Sequence, residues 1–317
     1  MSMGRVSMNG LTQRMISKLT DSVKSQEELF EKISSGKNIL RPSDDPIGLS
    51  RSMGLNDNLN RLSEYENVIS AADVWTNITT ASLDSATSTW KRVNEVAIGA
   101  ADGTKTAEDR LAMAEELEQL LQHMIQIGNT THGGRYIFSG SKTQTPAFNV
   151  ETDPNTGRVT GVFFQGNSET REVKTKDGGV VPINALGSNG GNPDVPGTFI
   201  DSTSGVNAFN TLIELRDKLL NNDTIGLSGE GGVIEDIEKA ARNITTSQVR
   251  VGGSQEILEL DKNRLIEQNS IIEQRISEIE DADTVQLILE LNNIQNVYEA
   301  ALSAGGKLFQ QGLLNFI

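Results

Sequence analysis

Apolar residues recur at seven-residue intervals through most of this chain, and the phase of the repeat changes at a few points. From Thr284 onward Leu287, Ile294, Ala301 and Leu308 hold one heptad position, with Leu291, Tyr298 and Gly305 interleaved. A comb of this kind is the seam of a helix that needs a partner helix. Chain ends usually fray and turn polar, whereas this one stays apolar through Phe316 and Ile317, so it reads as made for docking. The start mirrors it: Ile16, Val23 and Phe30 share one heptad position, and Leu19, Gln26 and Ile33 share the other. Two one-sided helices of similar length pair most simply with each other. Residues 1–41 carry seven Lys/Arg against four Asp/Glu, while 283–317 carry Asp283, Glu290 and Glu299 against Lys307. Opposite signs help register and encounter more than raw stability. A lone pair buries one seam and leaves little else covered, so packing against other molecules is expected.

Between the ends the same pattern marks further helices. Arg41-Pro42-Ser43-Asp44-Asp45-Pro46 is a stop followed by a start, with Asp45 and Pro46 suited to the N-cap and first position of the next helix. Calcium ligation by Asp44 and Asp45 lacks further ligands at metal-site spacing. Leu55, Leu62, Ile69, Thr76, Leu83, Trp90 and Ala97, interleaved with Tyr65, Ala72, Thr79, Ala86, Val93 and Ala100, predict one long helix ended by Asp102-Gly103. Its length would be roughly 80 Å. Thr106 to Asp109 resembles a capping box, and Met113, Leu117, Leu120, Met124 and Ile127 carry a third helix, stopped by Thr131-His132-Gly133-Gly134. Residues 135–205 are rich in Gly, Asn, Thr and Pro, with short apolar runs (Tyr136-Ile137-Phe138, Val162-Phe163-Phe164, Val180-Val181) between turn signals at Asp153–Gly157 and Lys176–Gly179. That predicts a β-rich insertion, followed by a helix near Ala208–Leu220 and a flexible joint at Gly226–Gly232. The helical pattern resumes at Val233, with Leu258, Leu265, Ile272 and Ile279 one heptad apart, and breaks at Glu280-Asp281-Ala282-Asp283.

The expected fold is mainly α with a β-rich insertion (α+β): a long helical hairpin with its terminal helices paired and the β-rich part at the far end. It divides into three parts. They are a terminal coiled coil of 1–45 with 284–317, a helical rod of 46–139 with 231–283, and an outer β-rich domain of 140–230.

The chain has 317 residues and a formal net charge of −15, which argues against nucleic acid or anionic membrane as a partner. It has no cysteine, which excludes disulfides and thiolate metal sites. No stretch approaches a membrane span, and Met1–Gly10 has no apolar core of a signal peptide, so by these rules alone the chain reads as cytosolic. His123 is a helix-flank residue and His132 part of a helix stop, neither with acidic partners for a zinc site or triad. Gly36-Lys37, Gly140-Ser141-Lys142 and Gly306-Lys307 do not complete a phosphate loop. The Asn-x-Thr sites at Asn77, Asn129, Asn222 and Asn243 are common by chance. No constellation for acid–base or nucleophilic work emerges, and no enzyme, cofactor or metal site is expected.

These pieces stand in an order that resembles one family. Ile33 to Pro46 is similar to the N-terminal signature of flagellin-type proteins, and its Arg41-Pro42-Ser43-Asp44-Asp45-Pro46 form resembles the hook–filament junction branch, the hook-associated protein 3 family. Gly134–Gly140 with Thr145-Pro146-Ala147-Phe148 resembles the family's lead-in to its outer domain, and Phe164–Asn167 with Arg171-Glu172-Val173 a strand motif inside it. Arg275 to Asp283, including Asp281 and Asp283, and the ending Leu313–Ile317 resemble its C-terminal helix. The likeness covers nearly the whole chain. Met1–Gly4 looks longer than usual, and Phe164 stands where Tyr is commoner. A flagellin would more often carry a different, asparagine-led run at 41–46 and a different tail. Trp90–Glu95 falls where flagellins display a packing and innate-receptor surface, and is read here as helix core plus solvated charges.

The resemblance implies a structural component of the bacterial flagellum. It implies export through the flagellar type III apparatus with a cytoplasmic chaperone, which replaces the cytosolic reading. It also implies assembly with copies of itself between hook-associated protein 1 and flagellin. The alternative within the superfamily is a short or minor flagellin forming the filament itself. A scaffold rod like the cytoplasmic helices of chemoreceptors would need membrane spans or an uninterrupted coil. An enzyme housed in 140–230 has no residues to carry it.

Overall fold

The computed structural model describes residues 3–314 other than 177, 224–226 and 228–231, with side chains described at residue 10 and from 12 to 307 within that range. Helix α1 (Met3–Ser35) stops at Gly36, whose φ of 70° leaves the helical region at the small steric cost only glycine enjoys. Helix α2 (Pro46–Ala100) starts on the expected cap: the Asp45 carboxylate accepts from the backbone N–H of Ile47 at 3.1 Å and of Gly48 at 2.9 Å. Pro46, lacking an N–H, takes a position where none is needed. The helix then runs 55 residues. Its two heptad positions are buried from Leu62 to Ala100, as is a third formed by Trp75, Ser82, Thr89 and Val96, while Leu55 and Tyr65 at the start are half-buried. The polar members cost little, because Thr79 donates its hydroxyl back to Trp75 O at 2.8 Å.

Helix α3 (Ala107–Gly128) opens on the Thr106–Asp109 capping box, each partner bonding the other's backbone N–H. Its other end differs from expectation. Asn129 is the C-cap, and Gly133 (φ 54°) and Gly134 (φ 75°) form the turn between strands β1 (Thr131–His132) and β2 (Arg135–Tyr136). Two consecutive positive φ values are what a two-residue type I′ hairpin requires, so the glycines serve the hairpin and not the helix.

The β-rich stretch is a set of small sheets. Strands β3 (Phe148–Thr152) and β4 (Val159–Phe164) pair antiparallel across the Asp153–Gly157 turn, as do β5 (Glu172–Lys174) and β6 (Val180–Pro182). Strand β7 (Leu186–Ser188) runs parallel to β8 (Gly197–Asp201), which pairs antiparallel with β9 (Val206–Asn207). The run Tyr136–Phe138 is strand only at Tyr136; Ile137 and Phe138 turn inward and are fully buried. Helix α4 (Ala208–Leu220) begins on the Asn207 cap, α5 (Val233–Glu280) ends where the seam breaks, and α6 (Thr284–Leu314) completes the described chain. The expected joint at 226–232 and Asp177 of the β5–β6 turn lie largely outside the described residues.

The chain divides into two compact units, Ser63–Ile266 and a pairing of Met1–Leu62 with Glu267–Ile317. In the first, α2 and α5 run antiparallel, as Gln255 to Asn77, Gln248 to Asp84 and the Trp90 indole N–H to Ile237 O (2.7 Å) mark. Phe138, Phe148, Phe199 and Phe209 stack edge-on or tilted at centroid distances of 4.7–5.6 Å and fill the centre. Beside them the buried Arg216 on α4 bonds the equally buried Glu118 on α3 at 2.5 Å and Val159 O on β4 at 2.7 Å. Burial alone would lower the Arg216 pKa, but hydrogen bonds to Glu118 and Asp217 outweigh it and raise it. Trp90 and Val93 are buried while Lys91, Arg92 and Glu95 face water, consistent with core plus solvated charge.

Candidate assembly surface

The second unit is built from the two chain ends and the elbows that join them to α2 and α5. At the elbows the backbone forms a bridge: Asn38 N–H donates to Glu280 O at 2.6 Å and Ala282 N–H to Gly36 O at 2.9 Å. The Lys37 ammonium lies inside it, 3.0 Å from Glu280 and 2.8 Å from Asp281. The Ser52 hydroxyl donates to Glu280 from α2, and the Ser277 hydroxyl donates to Asp281 at 2.5 Å. Hydrogen bonds from Asp281 and then Glu280 raise the Lys37 pKa. Donation by Ser52 and then Lys37 lowers Glu280, and donation by Lys37 and then Ser277 lowers Asp281. Asp283 caps α6 through the N–H groups of Val285 and Gln286 at 3.0 and 3.1 Å.

The remaining motif residues shape the first elbow. Asp44 accepts from the backbone N–H of Arg41 at 2.9 Å and of Leu40 at 3.1 Å, and these bonds, that to Arg41 foremost, lower its pKa. Arg41 pairs with Glu31 at 3.0 Å on the surface, Pro42 and Ser43 carry the turn, and Asp45 and Pro46 start α2. All six residues Arg41–Pro46 are exposed. Their work is to end one helix and begin the next.

From this anchor α1 and α6 pair antiparallel. On α6 the inward line is Leu287, Leu291, Ile294, Tyr298, Ala301 and Gly305, of which Leu287 and Gly305 are buried and the others half-buried. Gly305 admits Met15: a Cβ there would stand 2.0 Å from the Met15 methyl. Leu308 lies in α6, but its side chain, like residues 315–317, is outside the described residues.

On α1 the inward line differs from expectation. Leu19, Gln26 and Ile33 face the seam, but their alternating partners are Met15, Ser22 and Leu29. Ile16, Val23 and Phe30 stand one residue round, exposed by 59%, 40% and 66%. The rotation of α1 is fixed at one end by the Lys37 bridge and at the other by Met15 against Gly305, which overrides the hydrophobicity of those three.

Their position has a consequence. Ile16, Val23 and Phe30 follow the seam positions Met15, Ser22 and Leu29 by one residue, as Ile288, Gln295 and Leu302 follow Leu287, Ile294 and Ala301. In an antiparallel pair these equivalent flanking positions lie on the same side. The register from Met15–Gly305 to Lys37–Asp281 sets Phe30 level with Ile288 and Ile16 within one helical turn of Leu302. Ile288 and Leu302 are exposed by 47% each, so an apolar flank, interrupted on α6 only by Gln295, runs along the pair. A single subunit leaves it in water.

Two family models match the chain in order. The bacterial flagellin N-terminal helical region matches residues 6–143 and the bacterial flagellin C-terminal helical region matches residues 234–317. The chain belongs to the flagellin superfamily. Flagellar hook-associated protein 3 of Escherichia coli K12 is 29% identical over 162 residues, 51% of each chain. Its Salmonella typhimurium counterpart is 27% identical over 216 residues, 66% of this chain and 68% of that one. The chain thus aligns with about half the length of the first of these curated relatives and two-thirds of the second. The crystal structure of flagellar hook associated protein-3 from Legionella pneumophila shares the fold, with a TM-score of 0.57 over 71% of this chain and 98% of that one at 16% identity. These relatives are structural proteins of the bacterial flagellum. Among the described residues no group of His, Asp and Glu could hold a metal ion, and no helix is long and apolar enough to cross a membrane.

Sequence reasoning missed the Lys37–Glu280–Ser52 clamp and the inward Met15, Ser22 and Leu29. The only signal for the clamp was a Gly-Lys dipeptide whose partners lie 243 and 244 residues away. The Met15–Ser22–Leu29 line repeats every seven residues, but Ser22 hides it.

Proposed function

We propose that this protein forms the junction between hook and filament of the bacterial flagellum, linking hook-associated protein 1 to flagellin so that the filament can assemble. The observation that carries the reading is the terminal pair, whose inner seam is closed by its own two helices while an apolar flank stays open. An unpaired apolar strip on a two-helix unit is poorly stable in water, since few side chains are buried against the entropy of ordering it. Copies arranged head to tail around a tube would cover it through heterologous contacts, which close into a ring only when the rotation permits. In this reading 1–45 with 284–317 line the inner tube, 46–139 with 231–283 form the next shell, and 140–230 is the outward β-rich domain. Ile16, Val23 and Phe30 seal against neighbouring subunits, while Leu19, Ile33, Leu287, Leu291, Ile294, Tyr298 and Ala301 hold the pair together. Export runs through the flagellar type III route with a cytoplasmic chaperone, and neither nucleic acid nor membrane insertion takes part.

The test is where the protein resides. In cells unable to make flagellin it should be recovered, full length, from the tip of the hook. The matching family models are those of flagellin, so a short flagellin forming the filament itself is the second reading. Recovery along filament shafts, with none at the bare hook tip, would replace the first reading by the second.

A further inference from the structure

The unit Ser63–Ile266 holds a cluster of donors without acceptors. Trp75 on α2 is 5% exposed, and its indole N–H has no hydrogen-bond partner. Arg171 lies over the Trp75 ring, with Cζ 4.3 Å from the centroid, a cation–π geometry. The backbone holds Arg171 there: its N–H donates to the Asn184 side chain at 2.9 Å and its carbonyl accepts from Ile183 N–H at 2.9 Å. Yet Nη1 of Arg171 is buried and bonds to nothing. His132 meets the edge of the same ring, centroids 6.0 Å apart, and is paired across the β1–β2 hairpin with Arg135. Arg135 is exposed, and among the described residues its side chain makes no hydrogen bond or ion pair.

This arrangement runs against the composition. The chain carries 43 Asp and Glu against 28 Lys and Arg, yet among the described residues no carboxylate reaches either arginine. Burial, and then the charge of Arg135, push the Arg171 pKa down. A half-buried guanidinium without an acceptor is expensive. Nη1 itself is covered by the protein's own atoms, so an acceptor brought by a partner meets the other guanidinium nitrogens of Arg171 and the exposed Arg135. A guanidinium receives a carboxylate through two parallel N–H bonds, which fixes register as well as adding attraction.

We propose that Arg135 and Arg171, supported by Trp75, receive a carboxylate side chain from an adjacent copy of this chain. The inference rests on the reading of the protein as one of a ring of identical subunits. Copies of net charge −15 repel one another, and a pair of unpaired arginines supplies the local attraction that orients them.

The test uses Arg135→Lys, which keeps the charge and provides an amine. In hook tips isolated from flagellin-less cells, a carbodiimide condenses that amine with a touching carboxylate to an amide, the reagent leaving as its urea. Mixing isotopically light and heavy copies identifies a cross-link between two copies. The expected result is an amide from position 135 to an Asp or Glu of a second copy, absent from the unsubstituted protein. Arg135→Glu should keep its helix content and lower hook-tip occupancy at least tenfold, while Arg135→Lys stays within twofold of the natural protein. A cross-link to another protein only, no cross-link, or normal occupancy by a folded Arg135→Glu variant each overturns the proposal. If the unsubstituted protein is itself missing from the hook tip, the junction reading fails instead.

Discussion

At the scale of single residues, most of the motif side chains act on the backbone. Asp45, Asp109 and Asp283 each satisfy helix-start N–H groups, and Asp44 holds the turn before α2. Gly187 shows the opposite requirement, for no side chain at all. A Cβ there would stand 2.8 Å from Phe138 O, 2.9 Å from the Phe148 ring and 3.0 Å from the Phe164 ring. Gly187→Ala should therefore destabilise the Ser63–Ile266 unit by about 1–3 kcal/mol, the usual range for overpacking, as read by urea denaturation. Lys37 makes a second prediction. Glu280 and Asp281 have folded pKa values below their unfolded ones, so their contribution is present above the usual carboxylate range and is lost as pH falls through the folded values. The Lys37 pKa is raised, so its contribution holds below the ordinary lysine value and disappears as pH rises through the folded one. Lys37→Ala should lower the stability of the terminal unit near neutral pH, and the difference from the natural protein should shrink as pH falls below the ordinary carboxylate range and through the lowered folded values of Glu280 and Asp281. Thermal melts across pH, followed by the terminal helices' signal, check this; a constant difference would show that the clamp is not ionic.

At the scale of elements, the long helix and the terminal pair were legible to different degrees. The α2 seam could be read from the chain because apolar and small residues fill both heptad positions without a break from Leu62 to Ala100, whereas the neighbouring buried line Trp75-Ser82-Thr89-Val96 is half polar and was not visible. Helix α1 was ambiguous. It carries apolar residues at neighbouring positions, and the polar Ser22 and Gln26 lie inward while Val23 and Phe30 lie outward. Long-range partners decide that rotation, and a single sequence does not show which pairs meet. The glycines after α3 depart from the sequence expectation for a related reason. Their pattern marks a stop, but whether glycine ends a helix or turns a hairpin depends on whether the next residues pair back as a strand. The corrected rotation separates two kinds of substitution. Leu291→Asp with Ile294→Asp places charge in the closed seam and should unpair α1 and α6, leaving the Ser63–Ile266 unit folded and abolishing assembly. Val23→Asp with Phe30→Asp alters only the open flank, so the isolated pair should keep its helix content while junction assembly falls at least tenfold. Equal loss of helix in both double variants, measured by circular dichroism, would mean that the flank is part of the monomer's own packing.

At the scale of the whole molecule, the two units differ in how far they complete themselves. Ser63–Ile266 contains many side chains with no exposure, centred on its phenylalanines and the Arg216–Glu118 pair. Among its described residues the terminal unit buries few side chains beyond Leu29, Ser52, Leu62 and Leu287, and it exposes Ile16, Phe30, Val285 and Leu289. Local opening is easiest where few apolar contacts oppose it. A protein exported and then assembled at a growing tip would use that difference, with one unit folding alone and the other completed by neighbours. Hydrogen exchange by mass spectrometry on the free protein and on isolated hook tips measures this directly. The account predicts that peptides of α1 and α6 exchange rapidly in the free protein and become protected at the hook tip, while residues 69–97 are protected in both. Equal protection of α1, α6 and residues 69–97 in the free protein would contradict it.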